Sequence, residues 1–455
     1  MRPADSHRAG AWADALTIVS IVAIGVCVAA VVERGATPNH AQPAASANTQ
    51  TATFAPSAPV DTTYRTPEAT FPTTIPGCDV VEPPAEASLV WGRMITSEDS
   101  YDNPQAPWYS GRRSVMMTDA LTEALPDGVD VLFASLRESL IFQPIAQTVD
   151  EPGQPVEPRW ATASAQARRG DTVGWVGVSV AQVDSGVPPC VAGSVQERAT
   201  STDGTVVDVV ESWSEYGGVR TEYRTVTAYA PDGTNITATA SDAQGLQSSD
   251  GDDRDTVLTV DELKSIVTLP ELRTTTPVPS GTLEPTGGCD DSDSFFSGDT
   301  PIDAELAETL NAALDDVEVG ERFHPGLNTL RPADFDAGVV CTHVDVVNTG
   351  ADLSISIRGG QELPMMPDVY DPAYRNRPTD FEMLDGGAVL QLDEQPYSYS
   401  PATPEGTNGG MRRTVSVIYP SGTEVEVRSH AERPDEPLGA DTLRAIATAD
   451  GLDVL

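Results

Sequence analysis

RTVTAYAPDGTNITATAS, residues 224–241, and RTVSVIYPSGTEVEVRS, residues 413–429, are the two stretches that decide the fold. In each of them, apolar and polar residues alternate on both sides of a Pro-Asp-Gly-Thr or Pro-Ser-Gly-Thr connection. Alternation with a period of two is typical of strands that bury one face, and Pro, Gly, Asp and Ser supply the turn between them. We therefore predict one β-hairpin in each of two related halves of the chain.

A short helix follows each predicted hairpin. In the first half, Thr259 and Glu262 have the Thr-x-x-Glu spacing of a capping box at a helix start. Apolar residues at helical spacing come next, and they are Leu263, Ile266 and Val267 in the first half and Leu443, Ile446 and Ala447 in the second. The order hairpin, polar loop and amphipathic helix thus occurs twice, which predicts an internal repeat.

The parts before the hairpins match each other less well. They predict a helix near 118–125 and a strand at 172–183 in the first half, and a helix near 301–314 with strands at 339–347 and 353–357 in the second. This mixture of alternating strands and short helices favours an α+β fold, in which helices pack on one face of an antiparallel sheet. We predict two related domains of this class.

Composition suggests where these domains begin and end. Both halves open on Gly-Cys-Asp, and the predicted domains cover residues 77–272 and 288–455. The stretch 33–76 is rich in Ala, Thr, Pro and Ser, so it predicts a semi-extended stalk. A Pro- and Thr-rich stretch at 273–287 is the predicted linker between the domains.

An apolar segment near the N-terminus predicts a membrane anchor. Residues 15–32 read ALTIVSIVAIGVCVAAVV, an uncharged run that spans roughly 27 Å as a helix at about 1.5 Å per residue. This length crosses the hydrocarbon core of a bilayer, so we predict one transmembrane helix after a cytoplasmic tail of residues 1–14. A cleaved signal peptide is the alternative, because Val28 and Ala30 fill the small-residue positions of a cleavage site.

The orientation of this helix follows from its flanking charges. Arg2 and Arg8 precede it and only Arg34 follows closely, which predicts that the N-terminus is inside and that the bulk of the chain is exported. The expected location is therefore the cell membrane, with a single pass.

The cysteines beyond the helix support export. They are even in number, which suits disulfide bonding in an oxidising compartment, and they are Cys78, Cys190, Cys289 and Cys341. One bond in each domain would join Cys78 to Cys190 and Cys289 to Cys341. Four cysteines allow three connectivities, and the repeat alone does not choose among them.

The charge balance is strongly acidic. There are 69 acidic residues against 27 basic ones, and the formal net charge is −42. Such a surface repels nucleic acid phosphates and anionic headgroups, so nucleic acid is not an expected partner. Contact with the membrane is expected through the N-terminal helix alone.

No set of residues typical of catalysis or metal binding stands out. The sequence contains no Gly-x-Ser-x-Gly, Ser-x-x-Lys or Cys-x-x-Cys, and the exported histidines beyond the stalk, His324, His343 and His430, are widely spaced. We therefore predict no catalytic, cofactor-binding or metal-binding residues. The acidic runs at 250–255 and 290–293 lack the glycine and glutamate positions of an EF-hand loop, and we interpret them as solvated loops.

Aromatic residues are concentrated in the first predicted domain. Its tryptophans are Trp91, Trp108, Trp160, Trp175 and Trp213. Tryptophan often marks sugar- or protein-binding surfaces, and it also fills cores. Because Trp175 lies inside an apolar strand, we predict that it belongs to the core.

The layout resembles membrane-anchored envelope proteins of high-G+C actinobacteria, among which a Gly-Thr hairpin followed by a Leu-x-x-Ile helix is frequent. The resemblance covers the hairpin and helix of each half and implies no activity or site residue. We expect a non-catalytic binding or assembly protein of the cell envelope, with an envelope protein or the cell wall as partner and no cofactor. The alternatives are a secreted hydrolase using a pair of carboxylates and an envelope sensor that acts through a membrane partner.

Overall fold

The computed structural model of the chain describes residues 63–71, 73–84, 99–146, 160–243, 255–285, 301–334, 336–364, 379–398 and 409–454. The chain divides into two compact units. The first consists of residues 1–132 and 140–282, and the second of residues 133–139 and 283–455. The division near residue 282 falls inside the predicted linker.

The first unit contains most of the strands of the chain and two α-helices. Its strands are β1 (Tyr64–Arg65), β2 (Val81–Glu82), β3 (Asp99–Ser100), β4 (Val129–Val131), β5 (Ile145–Ala146), β6 (Trp160–Arg169), β7 (Thr172–Gln182), β8 (Cys190–Val191), β9 (Glu197–Thr200), β10 (Val206–Tyr216), β11 (Val219–Tyr229) and β12 (Thr234–Ser241). Its helices are α1 (Gly111–Glu123) and α2 (Val260–Val267), followed by a 3-10 turn at Pro270–Leu272.

One antiparallel sheet forms the centre of the first unit. Its strand order is β1-β10-β11-β12-β7-β6-β4, with β9 also paired to β10. Alternate residues of these strands, among them Val176, Val178 and Ile236, pack in one core with Met117 of α1 and Ile266 of α2. Both helices therefore lie on the same face of the sheet, as expected for alternating strands with one buried face.

The second unit repeats this plan. Its helices are α3 (Ala304–Asp315) and α4 (Ala440–Ala447), and its strands are β13 (Phe323–His324), β14 (Arg331–Ala333), β15 (Asp336–Val346), β16 (Ala351–Arg358), β17 (Thr379–Met383), β18 (Val389–Ser398), β19 (Gly409–Ile418) and β20 (Glu424–Glu432). The sheet order is β13-β15-β16-β20-β19-β18-β17, with β14 also paired to β15. Residues 133–139, which include a 3-10 turn at Leu136–Glu138, belong to this unit.

The two sheets correspond strand for strand at their centres. The order β6-β7-β12-β11-β10 in the first matches β15-β16-β20-β19-β18 in the second, and each series begins after one helix and ends before another. The predicted hairpins are confirmed as β11-β12 and β19-β20. The α+β class with two antiparallel sheet domains is therefore correct, and the correspondence extends further towards the start of each copy than the sequence indicates.

The predicted capping box is present at the start of α2. The Oγ1 atom of Thr259 accepts a hydrogen bond from the backbone N–H of Glu262, and an oxygen of Glu262 accepts from the backbone N–H of Thr259. In the second copy Gly439 is the N-cap residue of α4 and offers no side chain. Both helices bury the apolar stripe that the sequence predicts.

The disulfide bond expected in the first half is confirmed between Cys78 and Cys190, whose Cα atoms are 6.2 Å apart. Cys341 is also disulfide-bonded, and its expected partner Cys289 lies outside the described residues. The strand pair Tyr64–Tyr216 adds the chain near residue 64, within the stretch assigned to the stalk, to the edge of the first sheet. Within the described ranges, no helix is both long and apolar enough to cross a membrane, and the predicted anchor at 15–32 falls outside those ranges.

Candidate binding site

The first sheet has a face opposite α1 and α2, which we call the first outer face. Along each strand it carries the residues that alternate with the core positions. Its central positions are Thr162, Ser164 and Gln166 on β6, Trp175, Gly177 and Ser179 on β7, Thr237, Thr239 and Ser241 on β12, and Tyr223, Thr225 and Thr227 on β11. These central side chains carry no charge at neutral pH, and the charged residues of the same face lie at its margins, where Arg168 pairs in register with Asp130 and Arg198 with Asp208.

Threonine pairs occupy the middle of the first outer face. The Oγ1 atoms of Thr225 and Thr239 are 3.1 Å apart, and those of Thr227 and Thr237 are also 3.1 Å apart. Each such pair uses one O–H donor and one acceptor, so one further donor and several lone pairs remain. Thr225, Thr237 and Thr239 are half-buried, which leaves these hydroxyls within reach of solvent or a ligand.

The indole of Trp175 lies over the backbone of Gly177. A Cβ atom built on Gly177 would overlap atoms Cη2, Cζ2 and Cζ3 of the Trp175 ring. Only glycine allows this close approach of a ring to the strand. Gly177 pairs with Thr239 on one side and Ser164 on the other, so the ring is flanked by positions that carry hydroxyl groups.

Trp175 is half-buried and belongs to the first outer face. The prediction that it is a core residue is wrong. Its neighbours Val176, Val178 and Val180 fill the core, and the period-two alternation of a strand places Trp175 on the other side.

Tyrosines stand at one end of the first outer face. Tyr223 lies in the same cross-strand row as Trp175, with Ser241 between them, and its hydroxyl accepts a hydrogen bond of 3.2 Å from the Oγ of Ser214. Burial raises the pKa of Tyr64 and the charge of Tyr223 raises it further, whereas a hydrogen bond with Ser214 lowers it. Tyr64 thus joins Tyr223 and Ser214 in one polar aromatic group.

The other end of the first outer face is bounded by an ion pair next to the disulfide-bonded segment. Arg198 of β9 binds Asp208 of β10 through two contacts of 2.6 Å, and the Asp208 residue is only 3% exposed. The backbone N–H of Arg198 donates to the carbonyl oxygen of Pro76, two residues before Cys78. Asn235 lies nearby on β12, buried, and its Oδ1 has no hydrogen-bond partner among the described residues.

The second sheet carries a different set of side chains at the same places, which we call the second outer face. The strand registers of the two sheets establish the correspondence. Trp175, Gly177, Ser241, Ser164, Thr239 and Tyr223 correspond in turn to Asp352, Ser354, His430, His343, Arg428 and Arg412. A neutral aromatic and hydroxyl set in one copy is therefore a charged set in the other.

Charged groups on the second outer face bind one another. The Nδ1 atom of His430 is 2.9 Å from Oδ2 of Asp352, and Nη2 of Arg428 is 2.8 Å from Oε1 of Glu426. Arg412 donates to the side-chain oxygen of Gln395 at 3.1 Å. Because opposite charges and amides already pair within this face, its polar groups stabilise the sheet itself.

The remaining residues considered from the sequence are dispersed. Trp108 packs against the first core, and the guanidinium carbon of Arg220 lies 4.3 Å from the ring centroid of Trp213. Trp91 and most of the acidic runs fall outside the described residues, while Asp255 pairs with Arg224 at 2.8 Å. Within the described ranges, no three His, Cys, Asp or Glu residues are placed to hold a metal ion.

Comparisons with known proteins assign no family. No family model matches the chain, and no curated protein does. Among solved structures, the crystal structure of the di-domain ARO/CYC StfQ from the steffimycin biosynthetic pathway is similar at 11% identity and a TM-score of 0.13, over 70% of this chain and 81% of that chain. A likeness at that level does not support any inference about this chain.

Proposed function

We propose that this chain is a non-catalytic binding protein of the cell envelope and that the first outer face holds its ligand. One observation carries the proposal. The indole of Trp175 is seated over Gly177 between positions with hydroxyl side chains, in the uncharged middle of the first outer face, in a chain of net charge −42. An aromatic surface combined with a few polar groups is typical of ligand sites.

The chemistry of this face favours binding over catalysis. The polar groups in the middle of this face are hydroxyls, amides and phenols, and acid–base catalysis at neutral pH normally uses histidine or a carboxylate. Hydroxyls act as both donors and acceptors, which suits recognition of a polar neutral ligand.

The envelope location is part of the proposal. The apolar segment at 15–32 would anchor the chain, and the stalk would hold the first unit away from the bilayer. The Cys78–Cys190 disulfide bond supports an exported, oxidising environment. The partner would be an envelope protein or the cell wall.

A charge placed on the first outer face tests the proposal. Full-length protein in detergent is sedimented with envelopes from cells that lack the gene, and the Thr225→Arg variant is compared with Thr414→Arg. Thr414 is the corresponding residue on the second outer face, so it is a matched control. We expect Thr225→Arg to lose sedimentation with the envelopes and Thr414→Arg to keep it, both with native circular dichroism.

Two results would contradict the proposal. One is equal sedimentation of both variants and the native protein, which would separate binding from the first outer face. The other is release of soluble fragments from the envelopes by the native protein, which would indicate hydrolysis.

A further inference from the structure

We infer that the ligand of the first outer face is a neutral saccharide and that one of its rings stacks on the indole of Trp175. This inference rests on the proposed function and names the ligand class. The shape, the hydrogen-bonding groups and the absence of charge in the middle of this face all favour such a ligand.

Trp175 and Gly177 define the shape of the site. Because the six-membered ring of the indole lies directly over the Gly177 backbone, the sheet supports it from below. The side chain is half-buried, so part of it remains accessible to a ligand. An aromatic face carries a negative quadrupole that attracts the positively polarised C–H groups on the apolar side of a sugar ring.

The neighbouring strands supply hydrogen-bonding groups on both sides of the indole. Thr239 and Ser164 pair with Gly177 from either side, and neighbouring strands lie about 4.8 Å apart. The two hydroxyls therefore lie on either side of the indole, each about one strand spacing from Gly177, where they can hydrogen-bond to the outward hydroxyls of a sugar stacked on the ring. Thr225 continues the row beyond Thr239, so a second sugar unit would meet further hydroxyl groups.

The charge distribution disfavours other ligands that stack on aromatic rings. A nucleotide, or a saccharide bearing phosphate or carboxylate, would bring negative charge to an acidic chain, and the described cations of the first outer face lie at its margins, where Arg168 is opposite Asp130 and Arg198 binds Asp208. The carboxylates of Asp130 and Asp208 lie at the same margins, so a cationic ligand over Trp175 would meet no carboxylate on the strand of Trp175 or on the strands beside it. A neutral saccharide requires neither a cation nor a carboxylate beside the ring.

The second sheet lacks the residues that would form the same site, so we assign the site to the first unit alone. The residues corresponding to Trp175 and Gly177 are Asp352 and Ser354, so no ring lies on the second sheet at this place. Asp352 is paired with His430 instead. We therefore expect one saccharide site in each chain.

The test titrates the full-length chain in detergent with neutral oligosaccharides of glucose, mannose and galactose, and with oligogalacturonate as a carboxylated counterpart. We expect binding of at least one neutral oligosaccharide and, for Trp175→Ala, a loss on the order of tenfold or more in affinity. Trp175→Phe keeps a ring and should retain part of the affinity. Trp213→Phe is the control, because Trp213 packs with Arg220 away from this site.

A second variant tests the contribution of the Thr239 hydroxyl to saccharide affinity. Thr239→Val keeps the shape of the side chain and removes its hydroxyl, so we expect a loss of about threefold to tenfold in affinity with native circular dichroism. Unchanged neutral-oligosaccharide binding in Trp175→Ala would overturn the inference. So would tighter binding of oligogalacturonate than of any neutral oligosaccharide.

The two proposals fail in different ways. If Thr225→Arg abolishes sedimentation with envelopes while the native protein binds none of the neutral oligosaccharides, the saccharide inference is wrong and the binding function stands. If Thr225→Arg sediments like the native protein, the assignment of the function to this face is wrong as well.

Discussion

Nη2 of Arg358 lies 2.6 Å from Oε2 of Glu424, across the paired strands β16 and β20 of the second sheet. Both residues are buried. Burial raises the pKa of Glu424, and the positive charge of Arg358 opposes that rise. The corresponding residues of the first sheet are Ala181 and Asn235, so the ion pair is a feature of one copy alone.

Breaking this ion pair should destabilise the second unit. Arg358→Ala or Glu424→Gln leaves one buried group without its partner, and we expect each to cost about 3–5 kcal/mol. The double variant Arg358→Ala/Glu424→Asn copies the first sheet and removes both charges, so it should cost less than the sum of the single changes. Hydrogen exchange of the β16 and β20 amides measures each loss, and additive losses would contradict the coupling.

Glu262 connects the start of α2 to strand β6. Its oxygens accept hydrogen bonds of 2.7 and 3.1 Å from Arg169 and one of 2.8 Å from the backbone N–H of Thr259. These bonds, of which the one from Arg169 has the largest effect, lower the pKa of Glu262 below its ordinary value of 4.5. A carboxylate whose pKa is lowered by folding stabilises the folded state above its ordinary pKa, and this stabilisation is lost as the pH falls through the folded-state value.

Glu262→Gln should therefore destabilise the first unit by about 1 kcal/mol near neutral pH, a modest value because the pair is partly exposed. The difference from the native protein should shrink as the pH falls below 4.5 and through the lowered folded-state pKa of Glu262, and it should vanish once both side chains are neutral. Urea unfolding followed at several pH values measures it. Glu305→Gln in the first turn of α3 is the control for a simple helix-dipole effect, and a pH-independent difference for Glu262→Gln would contradict the explanation.

Local patterns were sufficient for much of this fold. The hairpins at Gly233 and Gly422 and the capping box of Thr259 depend on residues close in sequence, so turn chemistry and spacing identify them. The pairing of β7 with β12 joins Ala181 to Asn235, which are 54 residues apart in sequence. The register between strands that are distant in sequence depends on which faces pack in the core, and it cannot be read from the residues of either strand alone.

The first outer face was missed because strand β7 reads as a continuous apolar run. TVGWVGVSVAQV mixes valine with glycine, alanine and one tryptophan, and this composition conceals the alternation between core and outer positions. The available signal was the spacing of Trp175 and Gly177, which places a large ring beside a position without a side chain on the same face. The corresponding charged residues of the second copy, Asp352 and Ser354, become comparable only once the registers of both sheets are known.

The disulfide bond should hold the chain before β2 against the edge of the first sheet. Cys78 and Cys190 adjoin the parallel pair β2-β8, and Pro76 accepts a 2.9 Å hydrogen bond from the backbone N–H of Arg198. The double variant Cys78→Ser/Cys190→Ser should lose about 2–4 kcal/mol of stability. In hydrogen exchange, the Arg198 amide should lose more protection than the core amide of Val178, and equal changes at the two sites would contradict a local role.

Gly177→Ala should lift the indole of Trp175 away from the strand, because the added methyl group would occupy the space of three ring atoms. The ring is at the end of a movable side chain, so we expect a stability loss of about 1–3 kcal/mol and not unfolding. Labelling with 5-fluorotryptophan and assignment through Trp175→Phe would follow this residue by fluorine NMR, and its resonance should move towards the solvent-exposed position. Gly320→Ala, which adds a methyl group in open space, is the control. An unmoved Trp175 resonance in Gly177→Ala would contradict the seating of the ring on Gly177, and a moved resonance with unchanged saccharide affinity would separate that seating from binding.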